Sequence, residues 1–489
     1  MNTCFLSPLT AAIVALSSLF ISTAGAAEEP GATTTDTSAA LDHLLTSMFD
    51  ANAPGAAVLV VRNGTAILRK GYGMADLELQ VPMDPLDVFP ICSVTKEFTA
   101  AAILQLAEAG KLNLSDSIAQ YAPDYPTGGA RVTLAQLLSH TSGIPSTEQQ
   151  PEWRKTWLQD LTVAQVLDFT RGKPQEFAPG TDWKYSNTGY ILLGRVIEQA
   201  SGQTYADYVR THLFGPAGMG HSVYPAGGRL VPRRVRGYSW EGKAWTNSPF
   251  LNPTQTYSAG ALLMTVDDLW AWEQALQSGR IINAASWATA LQETRLPDGR
   301  LTHYGYGFEL KPLAGHGMIG HTGGMPGFCA FAARFPDAGV YIAILCNTDH
   351  PPMDLRAVAA KILGVVQGES GQPAAAQPVL TAAALDGYVG DYRIASDANF
   401  RVTMQNDALY GQLGPGRRKL QAVAPDEFTA DGMMHFRFVR GLSHAVERVE
   451  VVTDGAGPEL AWPRLNPPAE TAPPVGKALP ATQPKATEP

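Results

Sequence analysis

Ser93-Val94-Thr95-Lys96 sets a hydroxyl and an ammonium three residues apart, one turn along a single helix face. A serine hydroxyl is a weak nucleophile near neutral pH and needs a base or cation beside it. The start of a helix adds partial positive charge and unpaired N–H groups at the same place. The spacing alone is weak evidence, because an N-capping Ser followed by a surface Lys reads identically. Two further patterns change that. Tyr185-Ser186-Asn187 is the one Y-x-N among 16 tyrosines, and His321 begins the one His/Lys-Thr-Gly, with Thr322 and Gly323. A nucleophile, two candidate bases and several hydrogen-bonding groups are the parts needed for acyl transfer.

With these three motifs in this order, the chain resembles the serine β-lactamase and penicillin-binding protein superfamily, in its class C-like branch. Leu138-Ser139-His140-Thr141-Ser142-Gly143-Ile144-Pro145 and Phe177-Ala178-Pro179-Gly180 add to the resemblance, which covers about residues 41–366. The motifs are most similar to those of soluble D-alanyl-D-alanine carboxypeptidases, D-peptidases and related esterases. The resemblance implies an α/β fold, with an antiparallel sheet flanked by helices and a mostly helical insertion. It implies Ser93, Lys96 and Tyr185 as catalytic residues, with Ser93 carrying the acyl group. Tyr185 would act as general base, its pKa lowered by nearby cations, although the first proton acceptor stays open between Tyr185 and Lys96. Asn187, His321 and Gly323 would contact substrate. The backbone N–H groups of Ser93 and Gly324 would hold the oxyanion.

His321 departs from the Lys usual in β-lactamases of this branch. A largely neutral imidazole gives a weaker, pH-dependent attraction for a substrate carboxylate. Gly324 stands where many β-lactamases carry Ser or Thr. Both changes favour peptide or ester substrates, with a β-lactamase or a slowly turning-over penicillin sensor as alternatives. His140 and Ser142 form a tempting pair, but their stretch reads as a helix exit and His140 as structural. Met325-Pro326 reads as core or cavity wall, and Trp240, Trp245 and Phe250 as cleft lining or plain packing. There is no H-E-x-x-H, G-x-S-x-G or Walker loop. Neither metal nor organic cofactor is implied.

These residues must be held by elements. Ala56–Val61 and Ala66–Leu68 read as strands around Asn63-Gly64, a hairpin signal. Phe98, Ala102, Ile103 and Leu106 recur at helical spacing, and Gly110 ends that helix. Residues 110–290 are mostly helical, and 304–347 return to strand. A sheet built from both ends with a helical insertion fits this order. Phe328–Phe335 and Val340–Leu345 pair around Pro336–Gly339, a register that sets Cys329 opposite Cys346. Directly opposed Cβ atoms lie about 4.5–5.5 Å apart, so a disulfide and two packed thiols both stay open. Residues 367–378 read as a linker and 379–465 as a small antiparallel β-barrel or sandwich. Residues 466–489 read as a Pro-rich disordered tail.

The 489 residues exceed one ordinary core, and a net charge of −9 argues against a nucleic-acid partner. A small molecule or peptide is the expected partner. Residues 1–26 hold no charged side chain and end in Ala24-Gly25-Ala26, the pattern of a cleaved export signal. The expectation is a periplasmic or secreted protein with no stable membrane insertion after processing. The domains are then 1–26, 27–366, 367–378, 379–465 and 466–489.

Overall fold

In the computed structural model, which describes residues 34–225, 228–368 and, apart from short stretches between strands, 382–465, Asn63 and Gly64 have φ of 49° and 80°. Two successive left-handed residues match the twist of a two-residue hairpin, and Asn-Gly tolerates them. The turn joins β1 (Ala56–Arg62) to β2 (Thr65–Tyr72), with Arg62 opposite Thr65. Three later strands, β3 (Ile319–Met325), β4 (Phe328–Phe335) and β5 (Val340–Cys346), complete an antiparallel sheet ordered β2-β1-β5-β4-β3. Both ends of the region therefore meet in one sheet.

Successive side chains of β1 point to opposite faces, and both faces are covered. Ala56, Val58 and Val60 pack with Leu41 and Leu45 of α1 (Thr34–Met48) and with Val358 and Ile362 of α6 (Leu355–Val366). Ala57, Leu59 and Val61 join the larger core, which contains Phe98 of α2 (Thr95–Glu108) and Trp272 of α5 (Val266–Gln277). Burial on two sides explains why β1 is an unbroken apolar run rather than an alternating one. Between the sheet's two halves lie α3 (Asn187–Ser201), closed by a left-handed Gly202, and α4 (Pro253–Gly260), kinked at Tyr257.

Phe335 faces Val340 and Cys329 faces Cys346, the expected register. Cys92, Cys329 and Cys346 are free thiols, so the packed-thiol alternative holds here. The C-terminal segment closes into a barrel of eight antiparallel strands, from Gly390–Ala395 to Leu460–Leu465. Tyr392 on the first strand pairs with Arg464 on the last, which distinguishes a barrel from an open sandwich. Phe400, Phe428, Phe436, Phe438 and Trp462 fill its interior. The expected leader, the linker beyond Gly368 and the tail lie outside the described residues.

Candidate active site

Ser93 lies in a single 3-10 turn, Cys92–Val94, that runs directly into α2. Cys92 adopts φ of 50°, a left-handed conformation that costs a non-glycine residue free energy. Surrounding contacts hold it. Ile91 N–H donates to Leu262 O at 3.0 Å, and Leu262 N–H donates to Thr95 Oγ1 at 3.2 Å. On the other side β3 presses close. A Cβ added to Gly323 would lie 2.7 Å from Ile91 O and 2.9 Å from Ser93 N. Gly323 thus lets the strand meet the backbone of the nucleophile turn, and its part is to position Ser93.

Lys96 is fully buried. Its ammonium donates to Ser93 Oγ at 3.2 Å, Asn187 Oδ1 at 2.7 Å and Ala259 O at 2.8 Å. The helix carrying that last carbonyl is kinked two residues earlier, at Tyr257 (φ 40°, ψ −128°). A Cβ on Gly194 of α3 would lie 2.1 Å from Ser258 Oγ, so only glycine admits the kinked segment there. Burial lowers the Lys96 pKa to about 7, against the opposing pull of Glu148, Cys92 and Glu309. Near neutrality a large fraction of Lys96 is therefore a free amine.

The segment around His140 delivers Tyr185 and Asn187. Lys184 N–H donates to His140 O at 3.0 Å and Ser186 N–H to His140 Nδ1 at 3.1 Å. Asn187 N–H donates to Ser146 Oγ at 2.7 Å, and Ser186 caps α3. His140 is buried among Tyr185, Tyr190 and Tyr304, and burial holds its pKa well below 6.5. Its role is structural. Ser142 Oγ accepts from Ile144 N–H at 3.3 Å, a turn contact.

The expectation of an acidified Tyr185 is reversed. Burial raises its pKa well above 10, and the neighbouring Ser93 hydroxyl offsets this only in part. Tyr185 Oη is buried without a geometrically complete hydrogen bond. The Lys96 ammonium lies 4.7 Å from the centre of its ring, over the face rather than at the oxygen. Tyr185 is accordingly a neutral phenol beside Ser93.

His321 also differs from expectation. It is 2% exposed and its ring is fully engaged. Nδ1 meets Thr322 O, and Nε2 lies 2.9 Å from Tyr304 Oη. That pairing fits the neutral tautomer with its proton on Nδ1. Burial lowers its pKa to about 4 despite Glu309 Oε1 at 3.7 Å. A pH-dependent partner for a substrate carboxylate is thus not available at this position. Glu309, which no sequence motif marks, accepts from Thr322 Oγ1 at 2.8 Å and pairs with Arg356. Burial opposes its ionisation, but Arg356, His321 and Thr322 outweigh it and hold the carboxyl below its usual range.

Ser93, Asn187 and Gly324 open on a cavity of about 420 Å³. No atom lies within 4 Å of where a Gly324 Cβ would project. Lys96, Tyr185 and His321 are not part of the lining. Trp153, Trp157, Leu251, Met325, Pro326 and Phe328 give an apolar wall, with Glu148, Arg154 and Asp349 as charged groups on it. Met325 and Pro326 are therefore cavity wall, one of the two roles expected of them. Trp240 and Trp245 instead pack on each other with ring centres 5.1 Å apart.

The fold and this site define a serine hydrolase. The chain belongs to the beta-lactamase family, whose pattern it matches over residues 38–367. It is 29% identical to a penicillin-binding protein of Bacillus subtilis strain 168 over 414 residues, 80% of this chain and 89% of that protein. Among solved structures, the octameric penicillin-binding protein homologue from Pyrococcus abyssi is similar with a TM-score of 0.61 at 23% identity. That match covers 86% of this chain and 98% of the other. The penicillin binding protein from Bacillus halodurans is 28% identical with a TM-score of 0.58, over 66% of this chain and 98% of that one.

Proposed function

We propose that the protein is an exported hydrolase that cleaves small peptides, amides or esters, D-configured ones by resemblance, through an acyl-Ser93 intermediate. The observation that carries this is Lys96, buried, depressed to about 7, and bonded to Ser93 Oγ. As a neutral amine it keeps two N–H bonds, to Asn187 Oδ1 and Ala259 O. Its lone pair then accepts the Ser93 proton while Oγ bonds to the substrate carbonyl carbon. The N–H groups of Ser93 and Gly324 are assigned to the developing oxyanion. Tyr185, a neutral phenol, donates its proton to the departing amine or alkoxide and regains one from Lys96. In deacylation water gives its proton to the same pair and adds to the acyl carbon, and the pair returns that proton to Ser93 Oγ as the ester bond breaks.

A carboxypeptidase reading needs a fixed cation for a terminal carboxylate, and the neutral His321 weakens it. The same point weakens the β-lactamase reading, while the penicillin-binding relative keeps slow acylation by penicillin in view. Intact-protein mass after a fluorophosphonate, and separately after benzylpenicillin, tests the proposal. The expected result is one phosphonyl adduct that Ser93→Ala removes. An adduct retained in Ser93→Ala rules out Ser93 as nucleophile. With benzylpenicillin, a lasting adduct marks the peptidase or sensor branch, and consumed drug without adduct marks a β-lactamase.

A further inference from the structure

We propose that Glu148 anchors a substrate ammonium, so that the acyl groups delivered to Ser93 carry a free amino group. The inference rests on the acyl-serine reading and names the substrate class of that same site. Glu148 lines the cavity that Ser93 and Asn187 open on. Its Oε2 accepts from Ser146 Oγ at 2.5 Å, and that hydroxyl oxygen also accepts from Asn187 N–H at 2.7 Å. One hydroxyl therefore ties the carboxylate to the residue that bonds Lys96. Oε1 has no protein partner among the described residues. Glu148 is also the first of the charged groups that favour the Lys96 ammonium against burial.

The rest of the lining agrees. The rings of Trp153 and Trp157 stand edge to face, 5.5 Å apart, and aromatic faces favour organic cations. Asp349, the other carboxylate of the wall, is already committed to Ser239 Oγ, Gly327 N–H and His350. Arg154 is the charge that opposes an ammonium. It is exposed, so water screens it, and its guanidinium already stands over the Trp157 ring at 5.8 Å, whereas Glu148 is half-buried. His321 supplies no positive charge.

The test compares the p-nitroanilides of D-alanine and of N-acetyl-D-alanine at pH 7, where an α-ammonium is mostly charged. Wild type should prefer the free amine by tenfold or more in kcat/KM. Glu148→Gln should reduce the ratio of the two kcat/KM values by about 10–100-fold, the size of one charge-assisted hydrogen bond. Taking the ratio cancels any change in the Lys96 pKa, since both substrates use the same base. No preference in wild type, or a ratio unchanged in Glu148→Gln, overturns the proposal. Fluorophosphonate labelling of Ser93 separates the two layers. A labelled enzyme without amine preference sinks only the Glu148 assignment, and an unlabelled Ser93 sinks the acyl-serine reading beneath it.

Discussion

Lys96 Nζ lies closer to Asn187 Oδ1, at 2.7 Å, than to Ser93 Oγ, at 3.2 Å. The amide oxygen can only accept, so this bond survives loss of the ammonium proton and fixes which direction the lone pair faces. With the Lys96 pKa lowered to about 7, acylation requires the deprotonated form. The expected kcat/KM falls about tenfold per unit below pH 7 and levels off above it. Asn187→Asp sets an anion at the same site, stabilises the ammonium, and should move this limb alkaline by a unit or more. A pH profile whose acid limb is unmoved in Asn187→Asp would assign the limb to another group.

His321 should be silent over the working range. Its pKa is lowered from 6.5 to about 4, so between these values the unfolded chain binds a proton that the folded one does not. The stability contributed by neutral burial is thus present above pH 6.5 and is lost as pH falls towards 4. The difference corresponds to about 3 kcal/mol. Urea unfolding of wild type and His321→Gln at pH 7 and pH 4 should show the smaller acid loss in the variant. Imidazole NMR signals of His321 should not shift between pH 6 and 9.

Two adjacent glycines should respond oppositely to one methyl group. In Gly323→Ala the new carbon meets backbone atoms of the nucleophile turn at 2.7–2.9 Å, and backbone cannot swing aside. Overpacking of this kind costs about 1–3 kcal/mol, with Ser93 displaced as well. Gly324→Ala projects into open space. Thermal melts and phosphonate labelling rates should separate them: Gly323→Ala loses on both, while Gly324→Ala keeps its Tm within a degree or two.

The features legible in the sequence are local or periodic. Asn63-Gly64 carries its own turn, and an antiparallel hairpin centred on Pro336–Gly339 can only set Cys329 opposite Cys346. The three motifs meet because Ser93 stands just before α2, Asn187 starts α3, and Gly323 lies within β3 where that strand presses on the Ser93 turn. Glu148, Trp153 and Trp157 have no such signal. They lie in one-turn helices and loops without a period, and the chain's return through Asn252, bonded to Trp157 O, helps hold them near the cavity. His321 and Tyr185 mislead for one reason. Burial decides the protonation of both, with the Tyr304 ring against each, and nothing within the motifs themselves encodes that burial. Strands such as Gly416–Ala424 escape notice because they open on Arg417, Arg418 and Lys419, all exposed, rather than on an apolar run.

Cys329 offers a last check on the cavity's interior. It lines the wall beside Ser93, yet burial pushes its thiol pKa up to about 12. Only the thiolate reacts with alkylating reagents, so at pH 8 its reactive fraction is about a thousandfold below that of an ordinary thiol of pKa near 8.5. Cys92 and Cys346 are more deeply buried still, and burial raises both well above 9. Iodoacetamide at pH 8 should therefore leave the native protein active and all three residues unmodified over hours, and alkylate them promptly in urea without a reductant. Prompt loss of activity with label on Cys329 would show a thiolate exposed to water in the cavity. Failure to label Cys329 and Cys346 in urea until a reductant is added would show instead that the opposed pair is bridged.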